Sequence, residues 1–142
     1  MSNKVASKHT KKNVMRRING HEDGCGLTEL CGVFAEDDPH PVNGANHCYF
    51  FTRESDDGNT PPVTVGSINF QRGLRYAPDS IPGTLDGAVL SVVIDRYEGF
   101  QRGTFSCPEN DEVLQHLLAA RNMIIQRAQE RAARGVLGKN EK

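Results

Sequence analysis

The sequence predicts an α+β fold, a small N-terminal antiparallel β-sheet followed by a C-terminal antiparallel helical hairpin, and three observations carry that prediction. Upstream of residue 80, short runs of Val, Ile, Phe, Tyr and Thr alternate with turn-forming stretches, the pattern of hairpin-connected strands. Downstream of Pro82 the apolar residues recur at helical spacing through two segments. The link between those segments, FQRGTFSC, is short enough that the two helices must pack as antiparallel neighbours.

Residues 1–24 open the chain as a basic arm: Lys4, Lys8, Lys11, Lys12, Arg16 and Arg17 all precede the first acid, Glu22. The segment is polar and lacks periodicity, so a flexible arm is expected. Residues 25–80 form the β-sheet region. Its strand candidates are Leu27–Ala35 (LTELCGVFA), Asn46–Arg53 (NHCYFFTR) and Pro62–Phe70 (PVTVGSINF), separated by EDDPHPVNG and ESDDGNTPP.

Residues 81–138 form the hairpin. In its first helix Leu85, Val89, Val92, Val93 and Phe100 share a helical stripe, with Thr84 the expected N-cap and Gly99 or Gly103 near the end. The second helix has capping-box spacing at Ser106 and Glu109, with Pro108 in its first turn. Val113, Leu114, Leu117, Leu118, Ile124 and Ile125 make its stripe, and Gly135 is its stop signal.

Bulk properties narrow the function. A chain of 142 residues with 37% apolar content supports one domain with a modest core, for which oligomerisation is a natural further source of stability. A net charge of -1 argues against a dedicated nucleic-acid binder. No apolar run is long enough to cross a bilayer, and Lys and Arg interrupt the N-terminus where a signal peptide would need an apolar core. A soluble protein with reduced thiols at Cys25, Cys31, Cys48 and Cys107 is expected.

The residues suited to chemistry gather in the hairpin. Arg127 and Arg131 lie one turn apart on one helical face, where like charges repel unless an anion offsets them. Guanidinium groups suit pyrophosphate through paired planar hydrogen bonds. A solvated face is the commoner role for such cations, favoured by the helix dipole, and Glu130 is placed to pair with Arg134. Phe100 and Asn110 flank the interhelical link, where an aromatic can stack on a base and an amide can read a base edge or ribose hydroxyl. Their plainer roles are a core ring and a bond to local backbone.

Spacing then constrains assembly. Asn110 and Arg127 are 17 positions apart, or ~26 Å along one helix. If they share a small ligand, two chains must pack with helix ends opposed, and a two-fold dimer supplies two such sites.

Other chemistries are weakly supported. Cys25, Cys31, His47 and Cys48 lack zinc-knuckle spacing. His40 and His47 have no nucleophile and orienting group set up beside them, and no phosphate-loop glycine motif is present. No metal, cofactor or catalytic residue is expected.

The stretch DRYEGFQRGTFSCPEN (Asp95–Asn110), followed by RAQERAARGVLG (Arg127–Gly138), resembles the helical hairpin of phage proteins that sequester nucleotide immune signals. These are the Thoeris anti-defence protein 1 family and the smaller anti-CBASS protein 2 family. The β-rich upstream half favours the first, because the anti-CBASS relatives are almost wholly helical.

The resemblance implies a sponge acting in the cytoplasm of the infected bacterial host. It would capture glycocyclic ADP-ribose made by TIR-domain sensors without cleaving it. It implies a pocket of Phe100, Asn110, Arg127 and Arg131 in a homo-oligomer, either a dimer or a hexamer built as a trimer of dimers. It further points to a second site for cyclic di- or trinucleotides, for which Gln71, Arg72 and Arg75 are the candidates. Thr104, Pro108 and Leu137 depart from the commoner residues of the hairpin pattern, which bears on ligand selectivity. The alternative is a small nucleic-acid-binding or regulatory protein using the basic arm and the Arg-rich helix.

Overall fold

The computed structural model describes residues 15–26, 28–74, 77–139 and 141–142. Lys4, Lys8, Lys11, Lys12 and Arg75 therefore lie outside the described residues. The chain is α+β and divides into two compact units, Met1–Ser67 and Ile68–Lys142.

The strands β1 (Arg16–Arg17), β2 (Cys31–Ala35), β3 (Cys48–Arg53) and β4 (Val63–Asn69) form an antiparallel sheet ordered β1-β2-β3-β4, in which β1 to β3 belong to the first unit and β4 crosses the boundary after Ser67. β2 and β3 pair with Phe34 opposite Phe50 and Gly32 opposite Thr52. The two Phe rings stack at 5.1 Å between centroids. A side chain at Gly32 would run into the Thr52 hydroxyl and the Phe34 ring, so this stretch of strand needs glycine for packing.

Arg16 and Arg17 fall inside the segment expected to be a flexible arm, yet they pair with Ala35 and Phe34 as β1. Local bonds account for this. The Arg16 guanidinium donates to Asn46 Oδ1 at 2.9 Å, and Asn46 itself is buried with its amide donating to the Asp37 carbonyl. Arg17 lies 5.8 Å over the Phe34 ring and 3.9 Å from the Glu54 carboxylate. The Asp37 side chain accepts from the His47 amide at 2.9 Å and the Cys48 amide at 3.0 Å, which fixes the return into β3.

The second unit holds helices α1 (Asp86–Arg102) and α2 (Pro108–Ala133). Both caps differ from those expected. Leu85 occupies the N-cap of α1, and no side chain caps it. Thr84 instead pairs with an extended strip before the helix, its amide donating to Asn69 and its carbonyl accepting from Gln71. Cys107, not Ser106, is the N-cap of α2. The side chain of Gln101 does the work of a capping box. Its carbonyl accepts from the Cys107 amide at 3.0 Å, and its amide donates to the Cys107 carbonyl at 3.0 Å and to Asp111 at 2.7 Å. Gly103 caps α1, and Gly135 turns the chain after α2 with φ at 71°.

Two cross-helix bonds set the hairpin register. Gln101 reaches Asp111 at the link, and further along Arg121 Nη1 donates to Ser91 Oγ at 3.1 Å. Those pairs run in opposite chain directions, so the helices are antiparallel, and on that register α1 begins opposite Gln126. α2 has 26 residues against 17 in α1, so its last two turns extend beyond its partner.

The expected stripes are therefore only partly covered. Ile94 is the buried apolar residue of α1 and α2 has none among the described residues. Val92 is 72% exposed and Ile125 46%. One partner helix shields one strip of a cylinder, and the rest of the apolar surface stays in water.

Candidate functional site

The four hairpin candidates fall at two ends of one element. Phe100 lies in the last turn-and-a-half of α1 and Asn110 in the first turn of α2, both at the linked end and both half-buried. Phe100 is framed from its own helix: Tyr97 meets its ring edge-on at 5.6 Å, and the Arg96 guanidinium sits over it at 4.9 Å. Asn110 donates through Nδ2 to the Phe105 carbonyl at 2.9 Å. That bond matches the plainer backbone role weighed from sequence, and it leaves Oδ1 as an acceptor without a hydrogen bond among the described residues.

Arg127 and Arg131 occupy the part of α2 that extends past α1. Arg127 is exposed and makes no hydrogen bond or ion pair among the described residues. Arg131 is half-buried and engaged. The turn at Gly135 brings the following segment back along the helix, and Arg131 donates to the carbonyls of Val136 at 2.9 Å, Lys139 at 2.6 Å and Glu141 at 2.7 Å. Arg134 donates to the Lys142 carbonyl at 2.9 Å, and Glu130 accepts from Gln126 at 3.0 Å. The expected Glu130–Arg134 pair is thus replaced by two other bonds. Carbonyl oxygens are neutral, so the charge of Arg131 stays available to an anion even while its donors are shared.

The linked end and the overhanging end are not brought together within one chain. α2 is one continuous helix from Pro108 to Ala133, so the ~26 Å axial separation of Asn110 and Arg127 holds.

The segment proposed for a second site is a folded loop. Gln71 accepts from the Gly83 amide at 3.2 Å, and the backbones of Arg72 and Ile81 pair at 3.0 Å. Gly83 lies so close beneath Asn69–Gln71 that any side chain there would strike backbone. Gln71 is thereby a clasp of this loop.

Sequence reasoning did not single out Arg96, Gln101, Phe105 or Arg121. Arg96 was detectable from its spacing, four residues before Phe100 with no acid at its own i±3 or i±4 positions. Phe105, 75% exposed at the tip of the link, gives no periodic signal because it belongs to a loop. In the first unit His47 stands 3.8 Å from Asp37 and 5.9 Å, ring to ring, from His40. Among the described residues no three His, Cys, Asp or Glu side chains gather as a metal-holding group, and no helix is long and apolar enough to cross a membrane.

No family model matches the chain. A curated relative, Thoeris anti-defense 1 of Bacillus phage SBSphiJ7, is 33% identical over 92 residues, covering 60% of this chain and 64% of the relative. The chain thus spans less than two thirds of that relative's length. The family that the hairpin residues resemble and the family of the aligned relative are the same: this chain is similar to Thoeris anti-defense 1.

Proposed function

We propose that this protein is a phage anti-defence sponge that binds and sequesters glycocyclic ADP-ribose without cleaving it, in a pocket shared between two copies of the chain. Phe100 and Asn110 of one copy take the base and a ribose or base-edge group, and Arg127 and Arg131 of the other take the pyrophosphate. The observation that carries this reading is the division of one hairpin into an aromatic–amide end and a cationic end too far apart for one small ligand. Similarity to a Thoeris anti-defense protein supports it independently.

Exposed apolar surface supports the pairing of copies. Val92, Met123, Ile124 and Ile125 leave large apolar side chains exposed to water on the hairpin. An opposed copy would cover them while carrying its Arg pair to the linked end. Sequestration requires affinity alone; a nanomolar dissociation constant corresponds to about -12 kcal/mol, within reach of one stacked base, two arginines and a closed interface. Arg131 exchanges its carbonyl partners for phosphate oxygens, replacing neutral acceptors with charged ones.

Cyclic di- or trinucleotides, if bound, take a separate and wider basic surface, with Arg72 and Arg75 as its cations. The test is incubation with glycocyclic ADP-ribose followed by heat release and chromatography. Recovery of intact ligand supports a sponge, recovery of a product means an enzyme, and no retention overturns the reading.

A further inference from the structure

The ring of Phe100 is not bare: the Arg96 guanidinium carbon lies 4.9 Å from its centroid. Arg96 is exposed and has no hydrogen bond or ion pair among the described residues. Its neighbours one turn away on α1 are Val92, Val93, Gly99 and Phe100, none of which carries a carboxylate. Asp95 and Glu98, at i-1 and i+2, point to other sides of the helix. Among the described residues no N–H donor of this guanidinium is used, and the group lies over the aromatic ring as a cation–π contact.

A base stacking on that face of Phe100 meets Arg96 first. Guanidinium planes stack on aromatic rings and bases while their rims donate to phosphate oxygens. Tyr97 packs roughly perpendicular to the same ring at 5.6 Å, and Phe100 with Arg96 over it makes a composite surface. We propose that Arg96 is a further ligand-binding residue, forming with Phe100 a single cation–aromatic shelf that holds the base of a negatively charged nucleotide and donates to its nearest phosphate. This rests on the proposed sponge function and extends its ligand set. The linked end then supplies charge as well as stacking, so each pocket takes cations from both copies.

The experiment titrates glycocyclic ADP-ribose into wild type, Arg96→Ala, Arg96→Lys, Phe100→Leu and the Arg96→Ala/Phe100→Leu double variant, at several salt concentrations, with folding checked by thermal melting. Arg96→Ala is expected to weaken binding by about tenfold or more, the scale of a lost hydrogen bond to a charged group, and to flatten the salt dependence. Arg96→Lys should restore the salt dependence while recovering only part of the affinity, because an ammonium keeps the charge and loses the plane. The double variant should fall short of the product of the two single effects, as coupled residues do. Unchanged affinity and salt dependence in a folded Arg96→Ala, with wild type and Phe100→Leu differing, overturns the shelf and leaves the sponge standing. No binding by wild type overturns both.

Discussion

Arg127 and Arg131 share a residue type and a helix face one turn apart, yet they differ in what they hold within the chain. Arg127 has no protein partner among the described residues, whereas Arg131 holds three carbonyls of the returning segment. Arg127→Ala and Arg131→Ala should each weaken ligand binding by about 1.5–3 kcal/mol, the range for hydrogen bonds to a charged group. Only Arg131→Ala should also release Val136, Lys139 and Glu141, seen as faster amide exchange there. Equal exchange in both variants would mean that Arg131 does not hold the segment. Sequence predicted the pair from charge and spacing, but it carried no sign of the segment's return, which depends on the chain reversal at Gly135.

Asp57 illustrates a residue effect of a different kind. The Ser55 hydroxyl first, and then the Thr60 and Asn59 amides, stabilise its carboxylate and hold its pKa well below the ordinary value of 3.8. A depressed folded value means that the closed β3–β4 loop gains stability above the unfolded pKa and loses it as pH falls through the folded one. An NMR titration should therefore place the Asp57 midpoint below 3.8, and Asp57→Asn should remove the acid response of the Thr60 amide. A midpoint at the ordinary value would contradict this.

At the scale of elements, strands and helices were legible because each repeats a period over several residues. β2, β3 and β4 fall inside the three runs read from Val, Ile, Phe, Tyr and Thr, and both helices fall where helical spacing was read, although their stripes are only partly covered. The caps were not legible. Thr84 and Ser106 have the right chemistry and neighbours, but Thr84 is held by Asn69 and Gln71 and the α2 cap is organised by Gln101. Such choices are settled by tertiary partners that a local pattern does not contain. β1 was hidden for the same reason, since two arginines have little strand preference and pair because Asn46, Phe34 and Glu54 receive them.

Two variants test these element joints. Gly83→Ala would push a methyl group into the Asn69–Gln71 backbone, and backbone cannot step aside as a side chain does. A loss of about 1–3 kcal/mol of stability is expected from such overpacking. Gln101→Ala removes three bonds across the link and leaves the Cys107 amide unanswered, at about 1–3 kcal/mol for an unsatisfied group. Denaturant melts of the two variants check both; full stability in Gln101→Ala would show that the five-residue link holds itself.

At the scale of the whole molecule, a pocket shared between copies predicts complementation between defective chains. If Asn110 and Arg127 share one small ligand, their separation along α2 requires two chains, and the sequence did not specify which surfaces would meet. If each pocket takes Phe100 from one chain and Arg127 from another, Phe100→Ala and Arg127→Ala homodimers are each defective at every site. Mixing them and allowing subunits to exchange changes the outcome. In a mixed dimer, one pocket inherits both defects and the other inherits neither, because the Arg127→Ala chain still has its Phe100 and the Phe100→Ala chain still has its Arg127. With random exchange half of the dimers are mixed, so tight binding should return at about a quarter of all sites, with wild-type affinity. A pocket contained in one chain gives no recovery at any mixing ratio. Ile125→Glu adds the complementary control, since a charge on the exposed apolar face should block both association and recovery while leaving the isolated hairpin folded. Calorimetry of the mixture against each parent, with mass measured in solution, decides between a shared pocket and a private one.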